Sequence, residues 1–210
     1  MSTLTLIRHG QAGGDRLSPL GEQQARALGE WWLRNRVEFD EVYSGTLGRH
    51  IGTERTVAGV FAEHGRRWVS VEARAGWNEY DAPGVLRGMD PAQAGPAAFQ
   101  RMFEAAMLEW LEGKTAAGVE PWPVFRDRVR DELARITHGG GGRRIAVFTS
   151  GGPIGVCVQT ALSAPDRSFL EVNWRVRNCS VTEFVFGGGR LSLDSFNGLA
   201  HLHAALHTWR

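Results

Sequence analysis

Short apolar runs that end at a glycine-containing turn and are followed by a helical pattern most strongly constrain the fold of this sequence. Runs of this kind span residues 3–7, 41–43 and 145–148. An apolar run this short, bounded by glycine, is typical of a buried strand. Strands that alternate with helices form a parallel sheet with helices packed on both of its faces. The sequence therefore predicts an α/β fold of three layers, in which helices flank a mainly parallel central sheet.

Apolar periodicity and capping signals predict the remaining elements. Ser18 followed by Pro19 marks a helix start, and we expect that helix to continue to about residue 36. Ser44 is expected to cap a second helix that includes residues 47–61. The other predictions are a strand at 68–71, helices at 99–111 and 124–136, a helix from Ser150 to about 162, and a hairpin of 181–186 with 191–194 before a short terminal helix.

One segment between these elements has no apolar period. Residues 80–95 contain two prolines and three glycines. A segment of this length without periodicity is commonly a binding loop or a lid. We therefore expect residues 1–210 to form a single domain in which about residues 80–140 form a helical cap or lid.

Composition argues against several classes of partner. The 24 basic and 23 acidic side chains give a net charge of +1, so no global field attracts nucleic acid or an anionic membrane. The two cysteines form no Cys-x-x-Cys pair and are expected to be buried thiols. No basic leader with an apolar segment and no run of about 20 apolar residues is present, so a cytoplasmic location is expected.

Polar residues cluster at the turns that follow the predicted strands. Because the carboxyl ends of parallel strands meet at one edge of a sheet, these side chains are expected to face one crevice. They are Arg8, His9, Arg49 and Ser150. Guanidinium groups bind phosphoryl groups in bidentate fashion, and a neutral imidazole can attack phosphorus. Backbone N–H groups at a turn such as that of Gly151 add donors for an anion.

Several segments resemble the histidine phosphatase (phosphoglycerate mutase-like) family and occur in the family's order. LIRHGQ resembles its Arg-His-Gly signature, and LSPLGEQQA resembles its Leu-Thr-x-x-Gly-x-x-Gln-Ala segment. VYSGTLGRHIGT is similar to its Ser-Ser-Pro-Leu-x-Arg-Ala-x-Gln-Thr run, and GWNEYD resembles the segment that carries its acid. FTSGGPI, NCSVTEF and FNGLAHL extend the resemblance over nearly the whole chain. The resemblance implies a phosphoglycerate mutase-like fold.

The resemblance also implies a role for each candidate residue. His9 would be the nucleophile that forms a phosphohistidine, and Arg8 and Arg49 would bind the phosphoryl group. Glu79 would protonate the departing alcohol, with Asp81 as the alternative acid. The implied activity is that of a phosphatase, a phosphomonoester hydrolase that needs neither a metal nor an organic cofactor.

The sequence departs from the family pattern at a catalytic turn. The family has a second histidine in a His-Gly-Gly turn, where this chain has Ser150 before Gly151. Both residues are expected to bind phosphate, but a hydroxyl cannot carry charge. Losing one preorganised donor costs about 10²–10³ in rate. A catalytically impaired phosphate-ester-binding or regulatory protein therefore stays open as an alternative.

A second departure concerns the mutases of the family. Asp15 lies in a segment where mutases usually have Thr or Ser and Asn, and its carboxylate would repel a second phosphate. This disfavours a phosphoglycerate-type mutase. The predicted partner is thus a small-molecule phosphate ester or a phosphate anion, and the sequence does not identify which ester.

Histidines near the end of the chain raise the possibility of zinc. His203 and His207 have the i, i+4 spacing of a helical ligand pair, and His201 is close by. No Cys or Glu near them completes a ligand set. We therefore expect no metal site.

Overall fold

The structure is a computed structural model that describes residues 1–86 and 96–209. Its strands are β1 (Ser2–Arg8), β2 (Ala12–Gly13), β3 (Arg16–Leu17), β4 (Glu41–Ser44), β5 (Val71–Ala73), β6 (Arg144–Thr149), β7 (Val181–Gly187) and β8 (Arg190–Gly198). Its helices are α1 (Pro19–Arg34), α2 (Gly48–Glu63), α3 (Ala82–Val85), α4 (Pro96–Leu111), α5 (Trp122–Thr137), α6 (Gly151–Ala161) and α7 (Ser168–Asn173). Single 3₁₀ turns cover Ala75–Trp77 and Ala204–Leu206.

The central sheet has the strand order β5-β4-β6-β1-β7-β8. The first four strands in this order are parallel, whereas β7 and β8 are each antiparallel to the preceding strand. The register pairs Arg8 with Thr149 and Ser44 with Phe148, so β1, β4 and β6 end at the same edge. The predicted α/β fold with a mainly parallel sheet is confirmed.

Alternate side chains of the central strands enter two apolar cores, one on each face of the sheet. Leu4, Leu6 and Val147 pack with residues of α4, α5 and α6. Ile7 and Phe148 pack with residues of α1 and α2. Because successive side chains of a strand point to opposite faces, a strand buried on both faces must be apolar almost throughout. This explains why residues 145–148 in the central strand β6 are apolar throughout, and the helices on the two faces give the three layers.

The second helix begins later than predicted. Ser44 does not cap it: Ser44 is the last residue of β4, and its hydroxyl donates to the Gly45 carbonyl at 2.8 Å. The N-cap is Leu47, whose side chain makes no capping bond. The carboxylate of Asp15 caps the helix instead and accepts from the backbone N–H of Gly48 at 2.9 and 3.0 Å. A cap supplied from a distant turn leaves no local signal in the sequence.

The strand predicted at 68–71 is also displaced. Pairing with β4 begins only at Val71, which lies opposite Val42. Trp68 instead packs among Trp32, Phe39 and Phe61 in the core beside α1 and α2. The aromatic and branched residues that suggested a strand are therefore used for packing before the ladder begins.

The segment predicted to lack regular structure contains a short helix. Within residues 80–95, α3 occupies Ala82–Val85, with the Asp81 side chain accepting from Gly84 N at 3.1 Å. Residues 87–95, which belong to this segment and to the cap or lid predicted at about residues 80–140, lie outside the described residues. The predicted hairpin is confirmed as β7 and β8, and the terminal helix is the 3₁₀ turn. None of the described helices is both long and apolar enough to span a bilayer.

Candidate active site

His9 follows β1 directly, and both its backbone N–H and its carbonyl are hydrogen-bonded. Its N–H donates to the Thr149 carbonyl at 2.8 Å, and its carbonyl accepts from Cys179 N at 3.0 Å. The ring Nδ1 lies 2.7 Å from the Gly10 carbonyl oxygen. Because a carbonyl oxygen only accepts, Nδ1 carries the proton of the neutral ring and the lone pair is on Nε2.

The surroundings of His9 keep the ring neutral. Only 8% of the residue is exposed. Burial, reinforced by the positive charge of Arg8, lowers the pKa of His9 well below its ordinary value, and His50 and Arg49 act in the same direction. A neutral imidazole with a free Nε2 close to two guanidiniums is suited to attack an electrophilic phosphorus.

The guanidinium of Arg8 is fixed by carbonyl groups from the C-terminal part of the chain. Nη1 donates to the Val176 carbonyl and, at 3.1 Å, to the Trp209 carbonyl. Nε is buried and has no hydrogen-bond partner among the described residues. Burial lowers the pKa of Arg8, with the charge of Glu79 as the largest opposing influence. A buried N–H without an acceptor is unfavourable, so an anion that reached it would satisfy it.

Arg49 lies in the first turn of α2, where it meets Asp15. Nη1 of Arg49 is 3.5 Å from Oδ1 of Asp15, with the two side chains 19% and 62% exposed respectively. The same carboxylate accepts from Gly48 N, so it lies at the positive end of the α2 dipole. An anionic group therefore already occupies a place suited to a phosphate.

Glu79 reaches the N-terminal end of α6. Both of its carboxylate oxygens accept from the backbone N–H of Gly152, at 3.1 and 3.2 Å. A Cβ at position 152 would lie 2.0 Å from Oε1 of Glu79, so this approach requires glycine. Burial raises the pKa of Glu79, although the Gly152 N–H and the charges of Arg8 and Arg49 oppose the increase.

The backbone that carries Glu79 is held by α5 and by an aromatic cluster. Arg128 donates to the carbonyls of Gly76, Asn78 and Glu79 at 2.8, 2.9 and 3.3 Å. The next residue, Tyr80, packs against Trp110, Phe125 and Phe169, with ring centroids 5.0, 5.6 and 6.3 Å away. Glu79 is therefore preorganised by its neighbours, which is what a group that transfers protons requires.

Asp81, the alternative acid, has a structural role at the start of α3. It is exposed, and its carboxylate caps α3 through Gly84 N. Asp81 and Glu79 both line an open groove of about 660 Å³, whose other walls include Leu47, Arg49, Glu120 and Arg128. The groove is large enough for a small phosphate ester and has charged residues of both signs on its walls.

Ser150 is the N-cap of α6 and is fully buried, yet its side chain makes no capping bond. Its Oγ lies 2.6 Å from Nε2 of His50, which projects from the first turn of α2 and is also fully buried. The ring centroids of His50 and His9 are 5.7 Å apart. Gly151, the next residue, begins α6. The structure thus brings together the residues predicted from the sequence and adds a histidine that was not predicted.

A signal for His50 was present in the sequence. The family run that VYSGTLGRHIGT resembles has Ala at the position of His50 and Ser at the position of Gly45. Only the fold shows that His50 meets Ser150, because the two residues are 100 positions apart in the chain.

The histidines near the end of the chain make other contacts. Within residues 1–86 and 96–209, no three His, Cys, Asp or Glu side chains are arranged to hold a metal ion. Nε2 of His201 donates to the Cys179 carbonyl at 2.9 Å, and burial lowers the pKa of His201 to about 4. His203 and His207 flank the 3₁₀ turn and do not share a helix face.

A family model and a curated protein match the sequence of this chain. The family model described as "Histidine phosphatase superfamily (branch 1)" matches residues 4–198. A 2,3-bisphosphoglycerate-dependent phosphoglycerate mutase of Nitratidesulfovibrio vulgaris is 29% identical over 151 residues, which is 67% of this chain and 56% of that protein. The chain thus spans little more than half the length of this curated relative.

Solved structures with the same fold include phosphatases. A phosphoserine phosphatase mutant of Entamoeba histolytica, in complex with phosphoserine, superposes with a TM-score of 0.68 at 22% identity, covering 97% of this chain and 100% of that one. The alpha-ribazole phosphatase of Shigella flexneri superposes with a TM-score of 0.70 at 20% identity, covering 94% and 97%. At these identities the likeness establishes the fold and leaves the substrate open.

Proposed function

Because this chain belongs to the histidine phosphatase superfamily, we propose that it is a phosphomonoester hydrolase that acts through a phosphohistidine at His9. The observation that carries the proposal is the neutral ring of His9, whose Nδ1 proton is held by Gly10 and whose Nε2 lone pair is free. Arg8 and Arg49, which both lower the pKa of His9, are the two guanidiniums available to neutralise the phosphoryl oxygens.

The first half-reaction transfers the phosphoryl group to the enzyme. Nε2 of His9 attacks phosphorus and forms a P–N bond, while the ester P–O bond breaks. The departing alkoxide takes the proton of the neutral Glu79 carboxyl group and leaves as the alcohol. A raised pKa for Glu79 favours this role, because the acid must be protonated before the ester bond breaks.

The second half-reaction returns the enzyme to its starting state. The Glu79 carboxylate removes a proton from water, whose oxygen attacks phosphorus as the P–N bond breaks. The electron pair of that bond returns to Nε2 of His9, and inorganic phosphate leaves. Glu79 is again protonated, so the overall reaction converts an ester and water into an alcohol and phosphate.

Glu79, rather than Asp81, is the acid in this proposal. The Glu79 carboxylate accepts from Gly152 N at the N-terminal end of α6, and the Glu79 carbonyl accepts from Arg128. The Asp81 carboxylate is committed to capping α3. The alcohol part of the substrate would lie in the groove beside Glu79. We propose that about residues 80–140 of a single domain form the cap beside this groove.

Two observations favour a second candidate, a phosphate-ester binder with little turnover. Ser150, near His9 and Glu79, supplies a hydroxyl and no charge. Asp15 holds a carboxylate against Arg49, where it competes with a phosphate. The same carboxylate disfavours a mutase, which must hold a second phosphate.

Turnover of p-nitrophenyl phosphate and of a panel of small phosphate esters tests the proposal, with His9→Ala as the inactive control. We expect wild-type hydrolysis of several esters and its loss in His9→Ala. His64→Ala is a matched histidine control, since His64 is exposed at the far end of α2. Binding of vanadate without hydrolysis of any ester would favour the binder.

A further inference from the structure

The contact between His50 and Ser150 carries an inference that rests on the proposed function. Ser150 is expected at the position of the family's second histidine, and this replacement would leave the site short of one phosphoryl-stabilising group. His50 projects into the same region from another element, and its ring centroid is 5.7 Å from that of His9.

The protonation of His50 follows from its two ring nitrogens. Nδ1 is buried, and it has no hydrogen-bond partner in the described part of the chain. A Cβ built on Gly45 would lie 2.1 Å from Nδ1, so this nitrogen faces the Gly45 backbone carbon. Oδ1 of Asn78 lies near the same point, but it accepts from Thr46 N and makes no hydrogen bond with Nδ1. An N–H on Nδ1 would therefore be buried without an acceptor, whereas a lone pair facing a Cα–H is tolerated. Nδ1 therefore holds the lone pair, and Nε2 carries the proton.

The direction of the 2.6 Å contact is then fixed. Nε2–H of His50 donates to Oγ of Ser150, so the hydroxyl proton of Ser150 remains available for another acceptor. An N-cap serine commonly accepts from the N–H of the second or third helical residue. Here Glu79 accepts the N–H of Gly152, and the Ser150 side chain makes no capping bond.

Gly45 makes this arrangement possible. A side chain at position 45 would overlap the His50 ring, since even a Cβ would lie 2.1 Å from Nδ1. The family run that this segment resembles has Ser at position 45 and Ala at position 50. In a separate segment, the family has a histidine at the position of Ser150. The three differences thus fit together sterically: one position loses a side chain, the second gains a ring, and the third gains the hydroxyl that the ring contacts.

We propose that His50 is a positioning residue that orients the hydroxyl of Ser150 as a hydrogen-bond donor to the phosphoryl group, in place of the family's second histidine. Through this contact, His50 polarises the hydroxyl and removes its rotational freedom. Ser150 then touches the phosphoryl oxygen, while His50 acts through it. Because the donor is neutral, the pair stabilises the transition state less than a charged imidazole would.

Four variants separate the donor function of His50 from its shape. His50→Phe keeps a ring and loses the donor, and His50→Gln keeps an amide donor and loses the ring. Ser150→Ala removes the hydroxyl, and His50→Phe/Ser150→Ala closes a double-mutant cycle. His64→Ala serves as the control on the same helix. Unfolding in urea identifies any variant that has lost its fold, and the comparison is made among the folded ones.

We expect His50→Phe and Ser150→Ala each to lower kcat for p-nitrophenyl phosphate by about 10- to 100-fold, up to the lower end of what one preorganised donor supplies. The double variant should be no slower than Ser150→Ala within about twofold, and His50→Gln should recover most of the loss. The proposal would be overturned if the two single losses in kcat multiplied in the double variant, or if either single variant kept the wild-type rate. It would also be overturned if His50→Gln were no faster than His50→Phe.

Vanadate affinity makes the test independent of turnover. The same variants should weaken vanadate binding in the same non-additive pattern, because vanadate imitates the phosphoryl group in transfer. If the wild type hydrolyses no ester, or His9→Ala stays active, the proposed function fails, and the vanadate cycle alone decides the role of His50. Additive losses of vanadate affinity would then reject the pairing.

Discussion

Glu79 and Gly152 are joined by a bifurcated contact in which one backbone N–H donates to both carboxylate oxygens, at 3.1 and 3.2 Å. This contact fixes the acid at the start of α6 and depends on the absence of a side chain at position 152. The proposed proton transfer therefore depends on a glycine that takes no part in the chemistry.

Gly152→Ala tests this dependence. Its Cβ would lie 2.0 Å from Oε1 of Glu79, so the carboxylate must move. We expect hydrolysis of alkyl phosphates to fall by about 10²-fold or more, because a positioned general acid typically contributes about 10²–10⁴-fold to the rate. Aryl phosphates, whose leaving groups need little protonation, should be affected less. Gly140→Ala is the control, since nothing lies within 4 Å of its Cβ position; equal losses for both ester classes would count against Glu79 as the acid.

The pH dependence of kcat/KM should follow from two opposite pKa shifts. The reactive form has His9 neutral and Glu79 protonated. Since the pKa of His9 is lowered, the nucleophile is lost only well below its ordinary pKa, and since the pKa of Glu79 is raised, the acid persists above the usual carboxyl range. Activity on alkyl phosphates should therefore fall as the pH rises through the pKa of Glu79.

Comparison with Glu79→Gln isolates that limb of the pH profile. The second ionisation of a phosphate monoester, with a pKa near 6, contributes equally to both proteins. The difference between the two profiles should therefore contain the Glu79 titration alone. Parallel profiles would show that Glu79 does not titrate in the reactive complex.

Asp15→Asn should strengthen phosphate binding. The substitution removes a negative charge 3.5 Å from Arg49, while an amide oxygen can still cap α2 through Gly48 N. Because Asp15 is 62% exposed, solvent screening limits the gain to a few-fold decrease in the dissociation constant of phosphate. The measurement is isothermal titration with phosphate, using Asp40→Asn as a charge-matched control. If Asp15→Asn bound phosphate no more tightly than the wild type, the Asp15 carboxylate would not compete with phosphate.

Arg49→Lys should impair kcat/KM nearly as much as Arg49→Ala. A guanidinium can bind two phosphoryl oxygens through a planar pair of N–H groups, and an ammonium cannot reproduce that geometry. The urea midpoint should change little, because the ion pair with Asp15 is a weak surface contact. Wild-type kinetics for Arg49→Lys would mean that the shape of the cation is unimportant.

Much of the fold was predictable from local patterns. Neighbouring residues buried on opposite faces of the sheet, such as Leu6 and Ile7, produce apolar runs that are visible in the sequence. The capping of α2 by Asp15 and the contact of His50 with Ser150 were missed, because each joins residues far apart in the chain. Candidate site residues in contiguous motifs could be proposed from the sequence, whereas a group that acts through a partner on another element required the fold.

Trapping of a phosphoryl group on His9 would test the proposed nucleophile directly. Protein incubated with a ³²P-labelled phosphate ester and quenched in base should carry label that is stable in alkali and lost in acid, as expected for a phosphoramidate. Peptide mapping should locate it on His9, and it should be absent from His9→Ala and present in His64→Ala. Label that survives acid, or that persists in His9→Ala, would contradict the assignment of His9 as the nucleophile.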